Sequence, residues 1–246
     1  MGNQALDKYI PSLEAFEPRV DLKPMFTPRS QQLLDAIKSR VVVADGAMGT
    51  MIQDASPTMD DFQNYEGCNE ILNVTRPDII SSIHAQYLKA GAEAIETNTF
   101  GANFANLAEY GIEDRIEELA LAGAQVARQV ADDFSTDEKP RYVLGSVGPG
   151  TKLPSLGHEK FSVLRDAYQK QTVGLLNGGV DAILIETAQD LLQAKSAVIG
   201  AKRAMKSLNS SMRILGKLFG HRVPLNRITW LLKVQAIFIV LRVNIF

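Results

Sequence analysis

Sulfur and imidazole are scarce in this chain: its 246 residues contain one cysteine, Cys68, and three histidines, His84, His158 and His221. One cysteine cannot close a disulfide within the chain or make a thiolate metal site alone, and no two histidines stand at a metal-ligand spacing. Long apolar runs are lacking too. The longest uninterrupted one, Ala236-Ile237-Phe238-Ile239-Val240-Leu241, falls far short of the roughly 20 residues that a spanning helix needs. The first 24 residues have no basic region followed by an apolar stretch, so no secretion signal is expected and a cytoplasmic location follows. A formal net charge of −2 gives no global field favouring nucleic acid or an acidic membrane.

What the chain does have is a rhythm of apolar strands and amphipathic helices. Val41-Val42-Val43-Ala44 is a short apolar run emptying into Asp45-Gly46, as a buried parallel strand does. The spacing predicts a helix over 76–90, with Thr75 as its N-cap, Ile79, Ile80, Ile83, Tyr87 and Leu88 on one face, and Gly91 ending it. Strands follow at 94–98, 142–147 and 180–185, helices at about 112–132, 158–177 and 187–206, and Thr187 to Asp190 fits a capping box. The order is βα four times, with long loops after three of the strands. A doubly wound sheet would run from a glycine-rich turn directly into a helix, whereas Asp45-Gly46-Ala47-Met48-Gly49-Thr50 is expected to enter a polar, irregular stretch. A (β/α)8 barrel, with extended loops at the C-terminal ends of its strands, fits better. Two segments also resemble each other: Gly91-Ala92-Glu93-Ala94-Ile95-Glu96-Thr97 and Gly179-Val180-Asp181-Ala182-Ile183-Leu184-Ile185-Glu186-Thr187 both run from glycine through an acid and an apolar strand to Glu-Thr.

The residues able to carry chemistry collect at the strand exits. Asp45 ends the first strand, where it either receives loop N–H groups or touches a ligand, and Gly46 lets a ligand approach the backbone. Glu96 and Glu186 end apolar strands, where a carboxylate needs a partner: a lysine or loop amide, or an ammonium group. Asn98, Thr99 and Phe100 cluster at the second exit, Ser146 and Gly148 at the third. Paired carboxylates at a rim also admit glycoside hydrolysis, which needs a defined separation between them. His84 reads as a packed helix histidine and His158 as a loop residue.

Several segments in register resemble one known family. Asp45-Gly46-Ala47-Met48-Gly49-Thr50-Met51-Ile52-Gln53, Cys68-Asn69-Glu70-Ile71-Leu72-Asn73-Val74-Thr75-Arg76-Pro77, Glu96-Thr97-Asn98-Thr99-Phe100-Gly101, Gly145-Ser146-Val147-Gly148-Pro149-Gly150 and Ile185-Glu186-Thr187 are similar to the N-terminal module of cobalamin-dependent methionine synthases, within the wider homocysteine S-methyltransferase family. The resemblance covers about residues 35–208. It implies a barrel that binds homocysteine at its C-terminal face, with Asp45, Gly46 and Glu186 at the amino-acid end of the substrate and Thr99 and Phe100 on the adjoining rim. It further implies a zinc ion, held by three cysteine thiolates from later strands, that keeps the substrate sulfur as thiolate. That sulfur would take a methyl group from methylcobalamin, regenerated from methyltetrahydrofolate on folate- and cobalamin-binding modules of a longer polypeptide. Cys68 matches a loop position and not a zinc ligand, so the zinc site is expected to be absent and the chain inactive alone. The alternative is a non-catalytic homocysteine-binding or partner-binding fragment; without the resemblance, a sugar or aldol-type barrel enzyme is also open.

After Ser211 the text changes. No Asp or Glu occurs from Leu191 to Phe246, while basic residues are spread through the tail without clustering. The expected division is an N-terminal arm over 1–34, the first half of a barrel over 35–208, and a tail over 209–246 foreign to the fold, as a frame change or erroneous gene end would leave. Only four βα units are expected to be recognisable.

Overall fold

The computed structural model describes residues 27–210, 212–218 and 239–240. Helix α1 (Pro28–Ser39) opens with Thr27, whose side chain caps Ser30 N–H, and leads into β1 (Val43–Ala44). A seven-residue helix, α2 (Met48–Asp54), follows at once. This corrects the expectation of an irregular stretch after Asp45-Gly46. The run Met48-Gly49-Thr50-Met51-Ile52 has a buried residue, Ile52, and partly buried Met48 and Met51 packed against the core, so packing on one side outweighs the glycine within it.

Next come α3 (Leu72–Thr75) and α4 (Pro77–Ala90). Thr75 does not cap α4, as its place at the end of α3 shows. The cap position is Arg76, and Pro77 at the first helical position supplies a preset φ where no N–H is needed. Gly91 closes α4 in the left-handed region at φ 111, as its sequence position foretold. β2 (Ala94–Glu96), α5 (Phe104–Leu107), α6 (Ile116–Asp133), β3 (Tyr142–Val147), α7 (Phe161–Asn177), β4 (Ala182–Ala188) and α8 (Leu191–Ser207) complete the expected series. The cap of α8 is Asp190 alone, accepting from Leu192 and Gln193 N–H, rather than a box begun by Thr187.

The chain then adds what the sequence reading did not foresee. β5 (Arg213–Leu218) pairs in parallel with β4, from Ala182↔Arg213 to Ala188↔Leu218. Ile214 packs on the helix side and Leu215 on the opposite face, the alternation of a strand covered on both faces. A missing acid is no obstacle to such a strand, so the compositional break misled. The pair Ile239–Val240, labelled β6, lies parallel to β1 with Val43↔Ile239 and Ala44↔Val240. The remaining tail, His221 included, and the arm over 1–26 lie outside the described residues.

The sheet order is β5-β4-β3-β2-β1-β6 and every pairing is parallel. From β1 to β5 the order never reverses, so successive right-handed crossovers put their helices on one face. Ile95, Val143, Val147, Ile183 and Ile185 meet those helices in one core cluster. On the other face Ala44, Ala94, Tyr142, Leu144, Ala182, Leu184 and Leu215 form a second cluster, against which Leu33 of α1 packs. This α/β architecture has consequences for polar residues. Period two carries the second face onward to Glu96, Ser146 and Glu186, at the C-terminal ends of β2, β3 and β4.

Candidate functional site

Those strand ends open into a cavity of about 430 Å³. Its wall includes Asp45, Gly46, Glu96, Asn98, Phe100, Ser146 and Glu186, all positions singled out in the sequence. Of the five residues that the resemblance assigns to substrate, four line this cavity. The fifth, Thr99, does not: it is fully buried and works beneath the floor, donating to the Ser146 carbonyl at 2.7 Å and sharing a 2.6 Å hydroxyl contact with Thr97. Thr97 in turn accepts Ser146 N–H at 3.0 Å, so the two threonines tie the exits of β2 and β3 together.

Asp45 and Glu186 each accept from a neutral donor. Both oxygens of Asp45 lie 3.0 Å from the Glu96 backbone N–H, and the Ser146 hydroxyl donates to Glu186 at 2.7 Å. Burial foremost, then the neighbouring charge of Glu96 and that of Glu186, pushes Asp45 well above the usual aspartate range against the pull of its backbone hydrogen bond. Past Glu186 the strand is irregular: Thr187 sits in the left-handed region at φ 57, and the register against β5 shifts between Glu186 and Ala188. A β-branched residue adopts that conformation only where its surroundings impose it, and bulges of this kind re-aim side chains at the rims of sites.

Glu70 is a fourth carboxyl that the sequence reading assigned no role. It stands in the segment between α2 and α3, accepts Gly101 N–H at 2.7 Å, and lines the cavity while itself buried. Burial pushes it up. A Cβ at Gly101 would lie 2.7 Å from its carboxylate, so a larger residue there would push the Glu70 carboxylate aside. The signal was present in principle, since a glutamate between Cys68 and Ile71-Leu72 interrupts an apolar stretch. Asn69 also lines the cavity; Phe100, 41% exposed, stands at its mouth.

Cys68 is buried, its thiol 3.9 Å from Glu70, and burial followed by the Glu70 charge pushes it up to about 11. A thiol so placed is a poor metal ligand. Among the described residues no group of three or more His, Cys, Asp or Glu side chains is arranged to hold a metal ion. The three-thiolate zinc cage implied by the resemblance therefore does not fit this chain, which has one cysteine, chemically quiet. His84 is buried in α4, and His158 accepts Leu153 N–H at 3.3 Å in an exposed loop.

In sequence and in fold the chain is similar to known proteins. The family described as Homocysteine S-methyltransferase matches residues 42–223. The methionine synthase of Mycobacterium tuberculosis (strain ATCC 25618 / H37Rv) is 58% identical over 173 residues, covering 70% of this chain and 14% of that protein. That of Mycobacterium leprae (strain TN) is 57% identical over the same length and with the same coverage. The chain thus spans only 14% of the length of these curated relatives. Among solved structures, the homocysteine methyltransferase MmuM from Escherichia coli in its metallated form aligns with a TM-score of 0.59 at 21% identity, over 76% of this chain and 65% of that one. Its oxidized form gives 0.60 at 20% identity, over 77% and 65%. At such identities the likeness shows a shared fold.

Proposed function

The chain belongs to the homocysteine S-methyltransferase family, and we propose that its cavity holds the amino-acid end of homocysteine. One observation carries the reading: four carboxyl groups, Asp45, Glu70, Glu96 and Glu186, line the cavity, and among the described residues no lysine, arginine or histidine lines it with them. Such a wall favours a cation, and the α-ammonium group of an amino acid is the cation this family's substrate offers. In the bound state Glu186, fixed by Ser146, and Asp45, fixed by the Glu96 N–H, face the ammonium group. The side-chain amide of Asn69 and the backbone around Gly46 are the donors within reach of the substrate carboxylate, and Phe100 covers the methylene chain at the mouth.

In this reading the chain is the opening portion of a (β/α)8 barrel, its unreversed run of parallel strands supplying the first five, in a cytoplasmic methionine synthase. Residues 35–208 form the half barrel read from the sequence, extended here by β5, with residues 1–34 as an arm. Methyl transfer from methylcobalamin to homocysteine, and its recharging from methyltetrahydrofolate by folate- and cobalamin-binding modules, belong to the longer polypeptide. A free thiol is mostly protonated at neutral pH. Because the donor set fits no zinc, this chain alone binds without transferring methyl.

Titration calorimetry on the 246-residue chain tests this. Homocysteine is expected to bind, and 4-mercaptobutyrate, which lacks the amine, to bind at least about tenfold more weakly. Added zinc is expected to leave both unchanged. Equal binding of the two thiols would overturn the amine assignment, and a tenfold gain with zinc would overturn the claim that no thiolate-forming metal site is built here.

A further inference from the structure

Phe100 is an exposed aromatic whose position is fixed from below. It stands 41% exposed at the cavity mouth, yet both peptide units that flank it are held. The carbonyl of the first, that of Thr99, accepts from the Gln171 side-chain amide at 2.8 Å and from Ala102 N–H at 3.0 Å. The second is held at both ends: the Phe100 carbonyl accepts from Gly148 N–H at 3.2 Å and from the Asn103 side-chain amide at 3.3 Å, and Gly101 N–H donates to Glu70 at 2.7 Å. A peptide unit is planar, so fixing the two on either side of a residue fixes its φ and ψ, and with them the direction of its Cα–Cβ bond. The ring itself leans on Gly148, where a Cβ would lie 2.8 Å from it.

The ties from Ala102 and Asn103 lie within the turn and shape it; those from Glu70, Gly148 and Gln171 come from other elements and place it against the sheet. Gln171 is fully buried on α7 and lies outside the cavity wall. One turn earlier on the same helix face, Tyr168 donates to the Pro149 carbonyl at 2.7 Å, in the loop that carries Gly148. One face of α7 therefore holds both sides of the contact between Phe100 and Gly148. A helix that had only to cover the sheet would bury an apolar side chain at position 171, as it does at Leu164, Ala167 and Leu175, because an amide costs desolvation. We propose that Gln171 is a positioning residue: through the Thr99 carbonyl it sets Phe100 in the mouth before a ligand arrives, so that the apolar chain of an amino-acid thiol meets a preformed wall. This role rests on the reading of the cavity as a homocysteine site with Phe100 over the methylene chain. An aromatic side chain left loose in the free protein has to be ordered on binding, and that ordering subtracts from affinity.

A double-mutant cycle on the full 246-residue chain reads the coupling. Homocysteine affinity is measured by titration calorimetry for the parent, Gln171→Met, Phe100→Ala and the double variant, with the folding of each checked by circular dichroism. Gln171→Met keeps the bulk and removes the donor; it is expected to weaken binding about 3–10-fold in the parent and less than about 1.5-fold where Phe100 is already alanine. Gln171→Asn, whose amide stops one carbon short of the Thr99 carbonyl, is a second variant with the same expected pattern. Thr172→Val is the packing control: it removes a buried hydroxyl of α7 that donates to the Tyr168 carbonyl at 2.8 Å, away from the rim, and is expected to leave affinity within about 1.5-fold. With 4-fluorophenylalanine in place of phenylalanine, the fluorine resonance of position 100, assigned by its loss in Phe100→Ala, is expected to move in Gln171→Met and to stay in Thr172→Val. An unmoved resonance would overturn the proposal whatever the ligand does. Equal loss of affinity in both backgrounds would also overturn it, since Gln171 would then act elsewhere, as through its longer 3.3 Å contact with the Ser146 carbonyl. Homocysteine bound no better than 4-mercaptobutyrate by the parent would overturn the amine assignment alone, because both thiols carry the chain that faces Phe100 and the cycle can be read with either.

Discussion

The two ends of the sheet treat the same kind of residue in opposite ways. At the N-terminal ends of β2 and β4, Glu93 and Asp181 each meet an arginine: Glu93 lies 2.7 Å from Arg40, and Asp181 2.8 Å from Arg128. Each also accepts a backbone N–H from the neighbouring strand's start, Val43 for Glu93 and Val143 for Asp181. At the C-terminal ends of those strands, Glu96 and Glu186 line the cavity, whose wall has no basic side chain among the described residues. Burial pushes Glu93 up, but Arg40 and the Val43 N–H together hold it below the usual glutamate range; for Asp181 burial prevails over the opposing pull of Arg128. One end thus uses its acids to bind strands to helices and the other sets them in the wall of a cavity. A carboxylate buried against a protein cation is structural; one in the wall of a cavity at the C-terminal strand ends is placed to meet a ligand.

The largest break in this comparison comes from the paired end. Arg128→Met takes from buried Asp181 its hydrogen-bonded guanidinium, leaving the charge of Arg29, and is expected to cost about 3–5 kcal/mol in denaturant unfolding while homocysteine affinity of the folded fraction is unchanged. A loss below about 1 kcal/mol would show that the pair is incidental.

His84 sharpens the contrast as a third kind of burial, with neither partner nor cavity. Neither ring nitrogen finds a protein partner, and burial alone lowers it to about 4 from the ordinary 6.5. The unfolded chain therefore binds the proton first as pH falls. The stability that neutral His84 contributes is full above pH 6.5 and drains away down to about pH 4, by roughly 3 kcal/mol in all. Asp45 and Glu70, raised in the fold, act in the opposite sense: their contribution is present at low pH and is lost as pH rises through their folded values. Subtracting the pH profile of His84→Leu from that of the parent chain cancels the carboxyl part. The difference is expected to slope between pH 4 and 6.5, and a flat difference would refute the assignment.

At the open end, Glu186→Gln keeps a group that accepts from Ser146 but removes the charge. Homocysteine binding is expected to weaken about 10–100-fold, the worth of a charged hydrogen bond, with stability changed by less than about 1 kcal/mol. A large stability loss with intact affinity would move Glu186 to the structural class. The smallest effect is expected for Arg40→Met. Arg40 is 48% exposed, so solvent screens its pair with Glu93 and the cost stays below about 1 kcal/mol in a thermal melt.

Much of the fold was legible because its signals are local. The face of α4 from Ile79 to Leu88 and the stop at Gly91 follow from period and conformational freedom, and both stand as read. So does the collection of Asp45, Glu96, Phe100 and Glu186 at one rim, since parallel strands share a direction. The misses have a common cause. Thr99 follows the strand exit like its neighbours, yet turns under the floor because its hydroxyl finds the Ser146 carbonyl. Glu70 reaches the cavity only because Gly101 leaves room for it. β5 escaped notice because a strand covered on both faces needs apolar alternation and nothing from the charge pattern around it.

The order of β1 to β4 with the long helices between them, the direction of those strands and the clustering of acids at their exits were settled by the sequence alone, because each rests on the period of side chains along a helix or strand. Which acid meets an arginine and which lines the cavity was settled only by the tertiary structure. The motif around Glu93 and Glu96 and that around Asp181 and Glu186 read alike along the chain. Their charges part company because Arg40 and Arg128 arrive from α1's end and from α6, contacts 53 residues away in each case that no local pattern encodes.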